Sequence, residues 1–297
     1  MSNEVVKSMF ELTDLKVMVI DLSYYVFYRY YALMNYFKLS EKITDFTDIT
    51  DNTEFLEKYK KIFEKSLFEN VKKHLGVNFR NIKKKEVIDS IYVIFAKDCN
   101  RAEIWRNEIH PDYKKNRDHQ KNGVPFDGRI FDYVINNVLP DLCERYSFIK
   151  IIESCRAEAD DVAAVICRYM CGKFKRLIVL TNDHDYLQLL DYVDGIYNLQ
   201  GTDLSKKAQS GPSIKNMYFK VLQGDPSDNI SGIISKKKVK QLMLENDMIM
   251  FQNGLNELLS YINMVDYERN VKLINFEHIP NEIKHNIEMK IGDIFNI

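Results

Sequence analysis

Cysteine is scarce in this chain, and its arrangement excludes two common kinds of small stabilised fold. Five cysteines occur among 297 residues, and no two of them have the C-x-x-C spacing. An odd number without paired spacing argues against a disulfide scaffold and against a zinc knuckle. The pattern is typical of proteins from a reducing compartment.

The sequence also lacks segments that would place it in or across a membrane. No apolar run reaches the roughly 20 residues that a transmembrane helix needs, and residues 1–7 do not have the pattern of a signal peptide. We therefore expect a cytoplasmic protein without membrane association. The formal net charge of −1 excludes a histone-like polycation, although local basic patches can still bind nucleic acid.

Apolar runs with the length of buried strands alternate with helical patterns along the first 200 residues. This alternation predicts an α/β fold with a mainly parallel central sheet flanked by helices. Strands are expected at residues 16–20, 91–95, 148–152 and 177–180, with an edge strand at 196–199. Helices are expected at 23–37, 53–75, 129–146 with an interruption at Pro140, 157–166, 186–190, 213–222 and from 236 onwards. The alternation stops near residue 200, which divides the chain into an α/β core (1–205) and a helical C-terminal region (206–297).

Two carboxylates directly follow the predicted strand 177–180. Asp183 and Asp185 are separated by one residue, and in an open α/β sheet ligands bind in the crevice beyond the carboxyl ends of the strands. Close carboxylates repel each other unless a proton or a cation lies between them. Ligand sets made of oxygen atoms suit Mg²⁺ or Mn²⁺. For this pair alone, a solvated loop after a strand is the more ordinary explanation.

Further acidic residues occupy comparable positions along the chain. Two follow predicted strands, three lie in the first turn of a predicted helix, and two lie in a later turn: Asp21, Asp98, Glu158, Asp160, Asp161, Asp225 and Asp228. Each group has an ordinary explanation by itself, since acids favour helix N-termini and aspartate is common in turns. Several such groups in one α/β fold instead indicate a site for more than one metal ion. Two cations about 3.5–4 Å apart stabilise the attacking and leaving oxygens of phosphodiester hydrolysis.

A basic and aromatic segment lies between the second and third acidic groups. It contains Arg101, Trp105, Arg106, Tyr113, Lys114, Lys115 and Arg117. Cationic side chains interleaved with aromatic rings suit a phosphate backbone and exposed bases, whereas a solvated face would need neither the only tryptophan of the chain nor a proline. No continuous apolar stripe ties this segment to a core, so we expect a mobile arch at about residues 99–128. Lys236, Lys237 and Lys238 form a second basic group.

Together, several of these motifs resemble the 5′ nucleases of the flap-endonuclease family. The matching stretches are residues 19–21 (VID), 105–106 (WR), 112–117 (DYKKNR), 158–161 (EADD), 181–185 (TNDHD), 222–229 (LQGDPSDN) and 267–280 (YERNVKLINFEHIP). Within that family the chain is similar to the RNase H enzymes of T-even bacteriophages, which do not share the fold of cellular RNase H. The resemblance extends from about residue 16 to near the C-terminus.

The resemblance implies a PIN-like 5′ nuclease fold with two Mg²⁺ ions, for which Mn²⁺ is expected to substitute. The implied ligands are Asp21, Asp98, Asp160 and Asp183 for the more tightly held ion, Glu158 and Asp161 in outer or bridging positions, and Asp185, Asp225 and Asp228 for the second ion. Lys114 matches the lysine that contacts the scissile phosphate, and Tyr113 and Arg117 match the arch through or under which the 5′ strand passes. The implied catalytic set is Lys114, Arg117, Asp160 and Asp183. The residues expected to bind nucleic acid are the basic and aromatic residues of the two basic groups: Arg101, Trp105, Arg106, Tyr113, Lys114, Lys115, Arg117, Lys236, Lys237 and Lys238.

One stretch departs from the pattern of the family. Family members often carry a Gly-Ile-Gly helix-hairpin-helix motif that holds K⁺ and a duplex phosphate backbone. Residues 232–238 (GIISKKK) lack the second glycine. We therefore expect direct contacts between the lysines 236–238 and phosphates instead of a potassium site.

The function implied by the resemblance is that of a metal-dependent 5′→3′ exonuclease and flap endonuclease on DNA duplex and RNA–DNA hybrid, which removes RNA primers during replication. A PIN-type ribonuclease is the nearest alternative, but it leaves residues 224–229 and the basic segment unexplained. The intact set of acids disfavours a non-catalytic binder of branched nucleic acid. A haloacid-dehalogenase phosphatase is disfavoured because the stretch after Asp21 lacks that family's second aspartate. We expect a monomer in the cytoplasm of a bacterial host, with a single-strand-binding protein or a sliding clamp as candidate partners.

Overall fold

Five short strands form one sheet at the centre of the structure, a computed structural model that describes residues 14–40, 48–77, 89–116, 126–207, 213–245 and 247–296. The strands are β1 (Lys16–Asp21), β2 (Ile91–Ala96), β3 (Ile149–Ile152), β4 (Arg176–Leu180) and β5 (Gly195–Tyr197). Their order is β3-β2-β1-β4-β5, and every neighbouring pair is parallel. The predicted α/β fold is confirmed, and the strand expected at 196–199 is the short edge strand β5.

The central strand β1 determines where the functional groups meet. Its residues after Lys16 are buried, as expected for a strand covered on both faces that reads as a continuous apolar run. The chain first adds β2 and β3 on one side of β1 and then β4 and β5 on the other. This reversal opens a crevice at the carboxyl ends of the central strands. Asp21 is the last residue of β1, and Asp98 and Asp183 follow β2 and β4 closely.

Helices flank the sheet and form the C-terminal region. They are α1 (Leu22–Ser40), α2 (Thr53–Leu75), α3 (Arg106–Ile109), α4 (Arg129–Tyr133), α5 (Leu139–Arg145), α6 (Ala159–Met170), α7 (Ser213–Gln223), α8 (Lys236–Met243), α9 (Met248–Leu259), α10 (Met264–Ile274) and α11 (Asn281–Phe295). The helix predicted at 53–75 is confirmed with its bounds. Asn52 caps it by accepting the N–H of Phe55 at 3.0 Å, and Gly76 ends it with φ of 70°.

Two segments differ from the predicted helices. Val134–Val138 form a π-helical turn between α4 and α5, so the helix continues through Pro140 instead of stopping there. The wider turn accommodates the proline ring and its missing N–H. After β4, residues His184–Leu189 form a 3₁₀ helix instead of an α-helix. The carboxylate of Asp183 accepts the N–H of Asp185 at 2.9 Å, which tightens this turn.

Apolar side chains pack on both faces of the sheet and form two core layers. Met18 of β1 packs in the layer of α1 and α2, and its neighbour Val19 packs in the layer of α6 and α11. The last helix joins the second layer through Ile283, Ile287 and Ile291. The division of the chain near residue 205 stays a prediction, and α11 lies against the sheet although it belongs to the later part. Within the described ranges, no helix has both the length and the apolar character needed to cross a bilayer.

Candidate active site

A cleft of about 940 Å³ opens where β1, β2 and β4 end. Acidic residues line it: Asp21, Asp98, Glu158, Asp160, Asp183 and Asp225. Cationic residues line it as well: Arg101, Lys114 and Lys220. The carboxyl ends of parallel strands meet at one edge of the sheet, so residues far apart in sequence share this cleft.

Asp21 is fixed beside the cleft by two hydrogen bonds. Its carboxylate accepts the N–H of Tyr24 at 3.0 Å, which caps the start of α1, and the hydroxyl of Thr181 at 3.0 Å. Burial, together with the charge of Asp98, raises the pKa of Asp21 to about 6. Asp98 accepts the N–H of Ala159 at 2.8 Å and so ties the end of β2 to the start of α6. Asp21 and Asp98 both line the cleft, and their like charges repel each other unless a proton or a cation lies between them.

Glu158 connects the acids to the basic segment. With Asp161 it forms a reciprocal capping box at the start of α6. Its carboxylate accepts the Tyr113 hydroxyl at 3.0 Å, Nη1 of Arg106 at 2.8 Å and a bond from the Lys114 ammonium. Burial raises the pKa of Glu158, but the charges of Lys114 and Arg106 outweigh burial and the net pKa is lowered. Glu158 therefore keeps its negative charge.

Trp105, Arg106 and Tyr113 belong to the interior, which corrects their prediction as nucleic-acid contacts. They are only 3%, 2% and 5% exposed. Arg106 donates to both oxygens of Asp161 at 2.7 and 2.8 Å, and the indole N–H of Trp105 donates to the same carboxylate at 2.9 Å. The Tyr113 hydroxyl donates to Asp228 at 3.1 Å. Buried carboxylates need donors and a countercharge, and these side chains supply them.

The neighbours Asp160 and Asp161 have different surroundings. Asp161 is fully buried, and its carboxylate accepts a fourth hydrogen bond from the N–H of Glu158 at 3.1 Å. Four donors use the acceptor capacity of a carboxylate. Asp160 lines the cleft, with 17% of its side chain exposed, and burial is the main reason that its pKa lies well above the ordinary value. The geometry favours Asp160 for contact with a cation and Asp161 for positioning Arg106.

A second group of acids lies around Lys220. Oxygen atoms of Asp185, Asp225 and Asp228 come within 4.8 Å of one another, and Nζ of Lys220 lies 2.7 Å from Asp185 and 2.6 Å from Asp225. Burial and repulsion from Asp183 raise the pKa of Asp185 to about 7, although Lys220 opposes the rise. Sequence reasoning missed Lys220. A signal was present, since this lysine lies in the last turn of an amphipathic helix that leads directly into the acidic residues.

The turn that contains Asp225 and Asp228 requires glycine before it. Gly224 has φ of 74°, and a Cβ atom there would lie 2.5 Å from the backbone nitrogen of Gly232. Asp225 then caps the short helix Pro226–Asp228 by accepting the N–H of Ser227 at 2.9 Å. The predicted turn is confirmed, and its glycine allows two backbone segments to approach each other closely.

The remaining residues that were predicted to contact nucleic acid are accessible, as far as they lie within the described ranges. Arg101, Lys115 and the lysines 236–238 are exposed, and Lys114 lines the cleft. Arg117 lies outside the described residues, as do all positions from 117 to 125 of the predicted arch.

The described first half of the predicted arch packs on the fold. Ile104 and Tyr113 are buried with residues of α7 and α10, and Trp105 is buried against α6. No continuous apolar stripe was expected to tie residues 101–117 to a core, yet the described residues of this segment have separate apolar contacts with it, so the expected mobile arch is not supported for residues 101–116. The anchors are spaced irregularly along short turns, so they do not form the continuous stripe that sequence periodicity detects.

The donor set of the cleft fits divalent cations. Every acid brought together there offers carboxylate oxygens, which hard cations prefer, and Asp183 interacts electrostatically with both Asp21 and Asp228. Burial, with repulsion from a neighbouring acid, raises the pKa values of Asp21 and Asp185. A bound cation would favour their ionised forms.

Sequence comparison assigns the chain to a family. Residues 16–213 match the model of the 5′-3′ exonuclease N-terminal, resolvase-like domain. The chain belongs to the 5′-3′ exonuclease family. Ribonuclease H of Enterobacteria phage T4 is 23% identical over 222 residues, which cover 70% of this chain and 72% of that protein. The 5′-3′ exonuclease of Buchnera aphidicola subsp. Acyrthosiphon pisum is 26% identical over 283 residues, which cover 92% of this chain and 82% of that protein.

Solved structures share the fold of this 5′-3′ exonuclease family member. The bacteriophage T5 flap endonuclease, crystallised in a complex with DNA and metal ions, has a TM-score of 0.60 at 17% identity and covers 95% of this chain and 100% of that chain. The T5 5′-exonuclease with bound zinc has a TM-score of 0.59 at 17% identity and covers 95% of this chain and 99% of that chain. At this identity the likeness concerns the fold. The predicted resemblance to the 5′ nucleases and the PIN-like fold are confirmed.

Proposed function

We propose that this protein is a metal-dependent 5′ nuclease that acts as a 5′→3′ exonuclease and flap endonuclease. The observation that supports this most strongly is the convergence of the acids on one cleft at the carboxyl ends of the sheet, in a chain whose residues 16–213 match the family. Acids alone would repel a polyanionic substrate, so cations must accompany them. The proposed substrates are DNA duplex and RNA–DNA hybrid, and the proposed role is removal of RNA primers during replication.

The proposed cofactors are two Mg²⁺ ions, for which Mn²⁺ can substitute. The proposed ligands are Asp21, Asp98, Asp160 and Asp183 with Glu158 for the first ion, and Asp185, Asp225 and Asp228 for the second. When bound, such ions stabilise negative charge on the attacking and leaving oxygens of the phosphodiester. Asp161 is proposed to act indirectly, because it orients Arg106, which in turn donates to Glu158.

The two lysines that are described as lining the cleft, Lys114 and Lys220, are proposed to have separate roles. Lys114 is proposed to stabilise charge that develops on the scissile phosphate. In support, its ammonium lies among the proposed metal ligands, where it bonds to Glu158 and lies 3.5 Å from Asp228. Lys220 keeps Asp185 and Asp225 together and partly neutralises them. Arg117 is proposed as a catalytic partner of Lys114 on the family resemblance.

The exposed lysines 236–238 at the start of α8 are proposed to hold the duplex backbone. Cations at the N-terminus of a helix are unfavourable by themselves. A phosphate at that position would interact with the lysines and with the first N–H groups of the helix. Arg101, which lines the cleft, and the exposed Lys115, which follows Lys114 in the chain, are proposed to contact the strand that is cleaved.

Further proposals concern the setting of the activity. Replication proteins, such as a single-strand-binding protein or a sliding clamp, are proposed partners. The protein is proposed to act as a monomer in the cytoplasm of a bacterial host. These proposals rest on the role of the family in replication.

A cleavage assay tests the proposed function. Labelled 5′-flap DNA, nicked duplex and RNA–DNA hybrid are incubated with the protein in Mg²⁺, in Mn²⁺ and in chelator. We expect short products released from the 5′ end in either metal and none in chelator. Tight binding without cleavage in both metals would indicate a non-catalytic binder. Cleavage of single-stranded RNA without dependence on a 5′ end would indicate a PIN-type ribonuclease.

A further inference from the structure

The segment that contains Lys114 is fastened to the turn that contains Asp228. We call these segments the basic loop (residues 110–116) and the acidic turn (residues 225–229). Asn229 makes two of the bonds between them: its carbonyl bonds with His110 Nε2 (3.0 Å), and its side-chain Nδ2 donates to the Asp112 carbonyl (2.9 Å). Asp228 accepts two more, the Lys114 N–H at its carbonyl (3.0 Å) and the Tyr113 hydroxyl at Oδ2 (3.1 Å). Asn116 Nδ2 also donates to the Pro226 carbonyl. Most of the acceptors are backbone carbonyls, so the two segments fix the path of each other's chain.

Both segments contain a residue with left-handed backbone. Lys114 has φ of 58° and Asn229 has φ of 62°. Asparagine tolerates this region better than most residues, whereas lysine seldom adopts it. Two contacts keep Lys114 there, since its N–H donates to the Asp228 carbonyl and its own carbonyl accepts the guanidinium of Arg101. The conformation of Lys114 therefore depends on contacts with its neighbours.

This conformation directs the Lys114 ammonium into the cleft, where it bonds to Glu158 and lies 3.5 Å from Asp228. A lysine side chain is flexible, so its effect on a reacting phosphate depends on how well the backbone below it is fixed. Asn229 makes two contacts at the start of the basic loop, one through its side chain to Asp112 and one through its carbonyl to His110.

We propose that Asn229 is a positioning residue, which holds the basic loop against the acidic turn and thereby places Lys114 over the reacting phosphate. The proposal rests on the proposed nuclease function and assigns a task within it to a residue that is not among those lining the cleft. It also explains why an asparagine with left-handed backbone ends the acidic turn: its side chain is available to bond across to the basic loop.

The test uses Asn229→Gly, because glycine keeps the left-handed backbone and removes only the side-chain bond to Asp112. Asn296→Gly is the matched control, since Asn296 also has left-handed backbone, with φ of 54°, at the C-terminal end of α11. Single-turnover rates are measured with saturating substrate and Mg²⁺. We expect Asn229→Gly to lower the rate by roughly 10-fold to 100-fold and Asn296→Gly to leave it unchanged. A wild-type rate for Asn229→Gly would overturn the proposal.

A double-mutant cycle with Lys114→Ala separates positioning from a general structural effect. In the Lys114→Ala background, Asn229→Gly is expected to lower the rate less than about 2-fold, because the group that it positions is absent. If the fold losses in rate of the two single variants multiply fully in the double variant, Asn229 does not act through Lys114. Calorimetric titration with Mg²⁺ should give the same affinity for Asn229→Gly as for the wild type. Weaker Mg²⁺ binding would assign the effect to Asp228 and overturn the proposal.

Two further measurements keep the proposal open to refutation. If Asn229→Gly does not fold, Asn116→Ala removes a separate bond between the same segments, and its rate loss must likewise disappear in the Lys114→Ala background. If the wild type cleaves nothing in Mg²⁺ or Mn²⁺, the proposed function fails by itself. Amide hydrogen exchange of the basic loop then decides the positioning claim: faster exchange in Asn229→Gly supports it, and unchanged exchange overturns it.

Discussion

Asp160 and Asp161 are adjacent in sequence, and the start of α6 turns their carboxylates in different directions. Asp160 lines the cleft. We expect Asp160→Asn to lower turnover by more than about 100-fold, the loss typical when one charge-stabilising group is removed from an active site. Binding of a flap substrate should remain, because the basic residues are untouched. Rate and dissociation constant are measured on the same 5′-flap, and near-wild-type turnover in Mg²⁺ would contradict the ligand assignment.

Asp161→Asn should instead destabilise the protein. Its carboxylate shares with Glu158 the neutralisation of Arg106, which is 2% exposed. An asparagine would turn an amide group with its own donors towards the donors of Arg106 and Trp105. Breaking a buried ion pair costs about 3–5 kcal/mol. Urea unfolding of the metal-free protein measures the loss, with Asp160→Asn as the isosteric control one position away. Equal midpoints for the two variants would show that Asp161 is not the countercharge described here.

At the scale of single residues, the sequence located acids beside the cleft but did not reveal which basic and aromatic side chains are buried. Asp21 and Asp183 could be placed beside a cleft because each follows an apolar strand run. Trp105 and Arg106 could not be assigned to the interior, since an arginine that compensates buried carboxylates has the same sequence pattern as one that binds phosphate. Only the fold brings Arg106 onto Asp161, 55 residues further along the chain.

At the scale of elements, helix α8 provides a test of duplex binding. Replacing Lys236, Lys237 and Lys238 with alanine should leave the helix intact, because alanine favours helix and these side chains are exposed. Substrate affinity should fall, and the plot of log affinity against log salt should become shallower by about one unit for each lost phosphate contact. The single-turnover rate at saturation should change little. An unchanged salt slope, measured between about 50 and 200 mM salt, would remove α8 from the interface.

The elements themselves were predicted where local signals agreed with the tertiary structure. The helix Thr53–Leu75 has an asparagine cap, an apolar stripe and a terminal glycine, and its bounds are those expected from the sequence. The π-helical turn Val134–Val138 and the 3₁₀ helix His184–Leu189 were missed. Periodicity does not distinguish these from α-helix. The first lies directly before a helix with Pro140 in its first turn, and in the second a carboxylate caps the turn.

At the scale of the whole molecule, the parallel sheet concentrates negative charge at one edge. Order β3-β2-β1-β4-β5 brings Asp21, Asp98 and Asp183 together from three neighbouring strands, and α7 delivers Lys220 and the acidic turn to the same place. The parallel order was foreseeable from the alternation of strands and helices. The docking of the acidic turn onto the basic loop was not, because it depends on backbone carbonyls, which every residue has.

The burial of acids at this edge makes the stability of the metal-free protein depend on pH. The pKa of Asp21 is raised from 3.8 to about 6 and that of Asp185 from 3.8 to about 7, in each case mainly by burial. Between pH 4 and 7 these two carboxyls bind more protons in the folded protein than in the unfolded chain, so they make the free energy of unfolding fall as pH rises through this window. His74, whose pKa is lowered to about 4 mainly by burial, acts in the opposite direction between about pH 4 and 6.5 and offsets part of this fall. Carboxyls whose pKa is lowered, such as Glu64 and Asp127, act in the opposite direction but only at lower pH.

We therefore expect the melting temperature in chelator to fall from pH 5 to pH 8, and Mg²⁺ to restore it most strongly at pH 8, where the acids are ionised. Mg²⁺ at 100 times its dissociation constant would add about 2.7 kcal/mol by mass action on the folded state, a rise of roughly 2–4 °C per kcal/mol. Asp185→Asn is the control, because it removes the group with a pKa of about 7 and should flatten the upper half of the pH profile without metal. A melting temperature in chelator that rises towards pH 8, or an equal response of both proteins to Mg²⁺, would mean that these acids are not buried together in the folded protein.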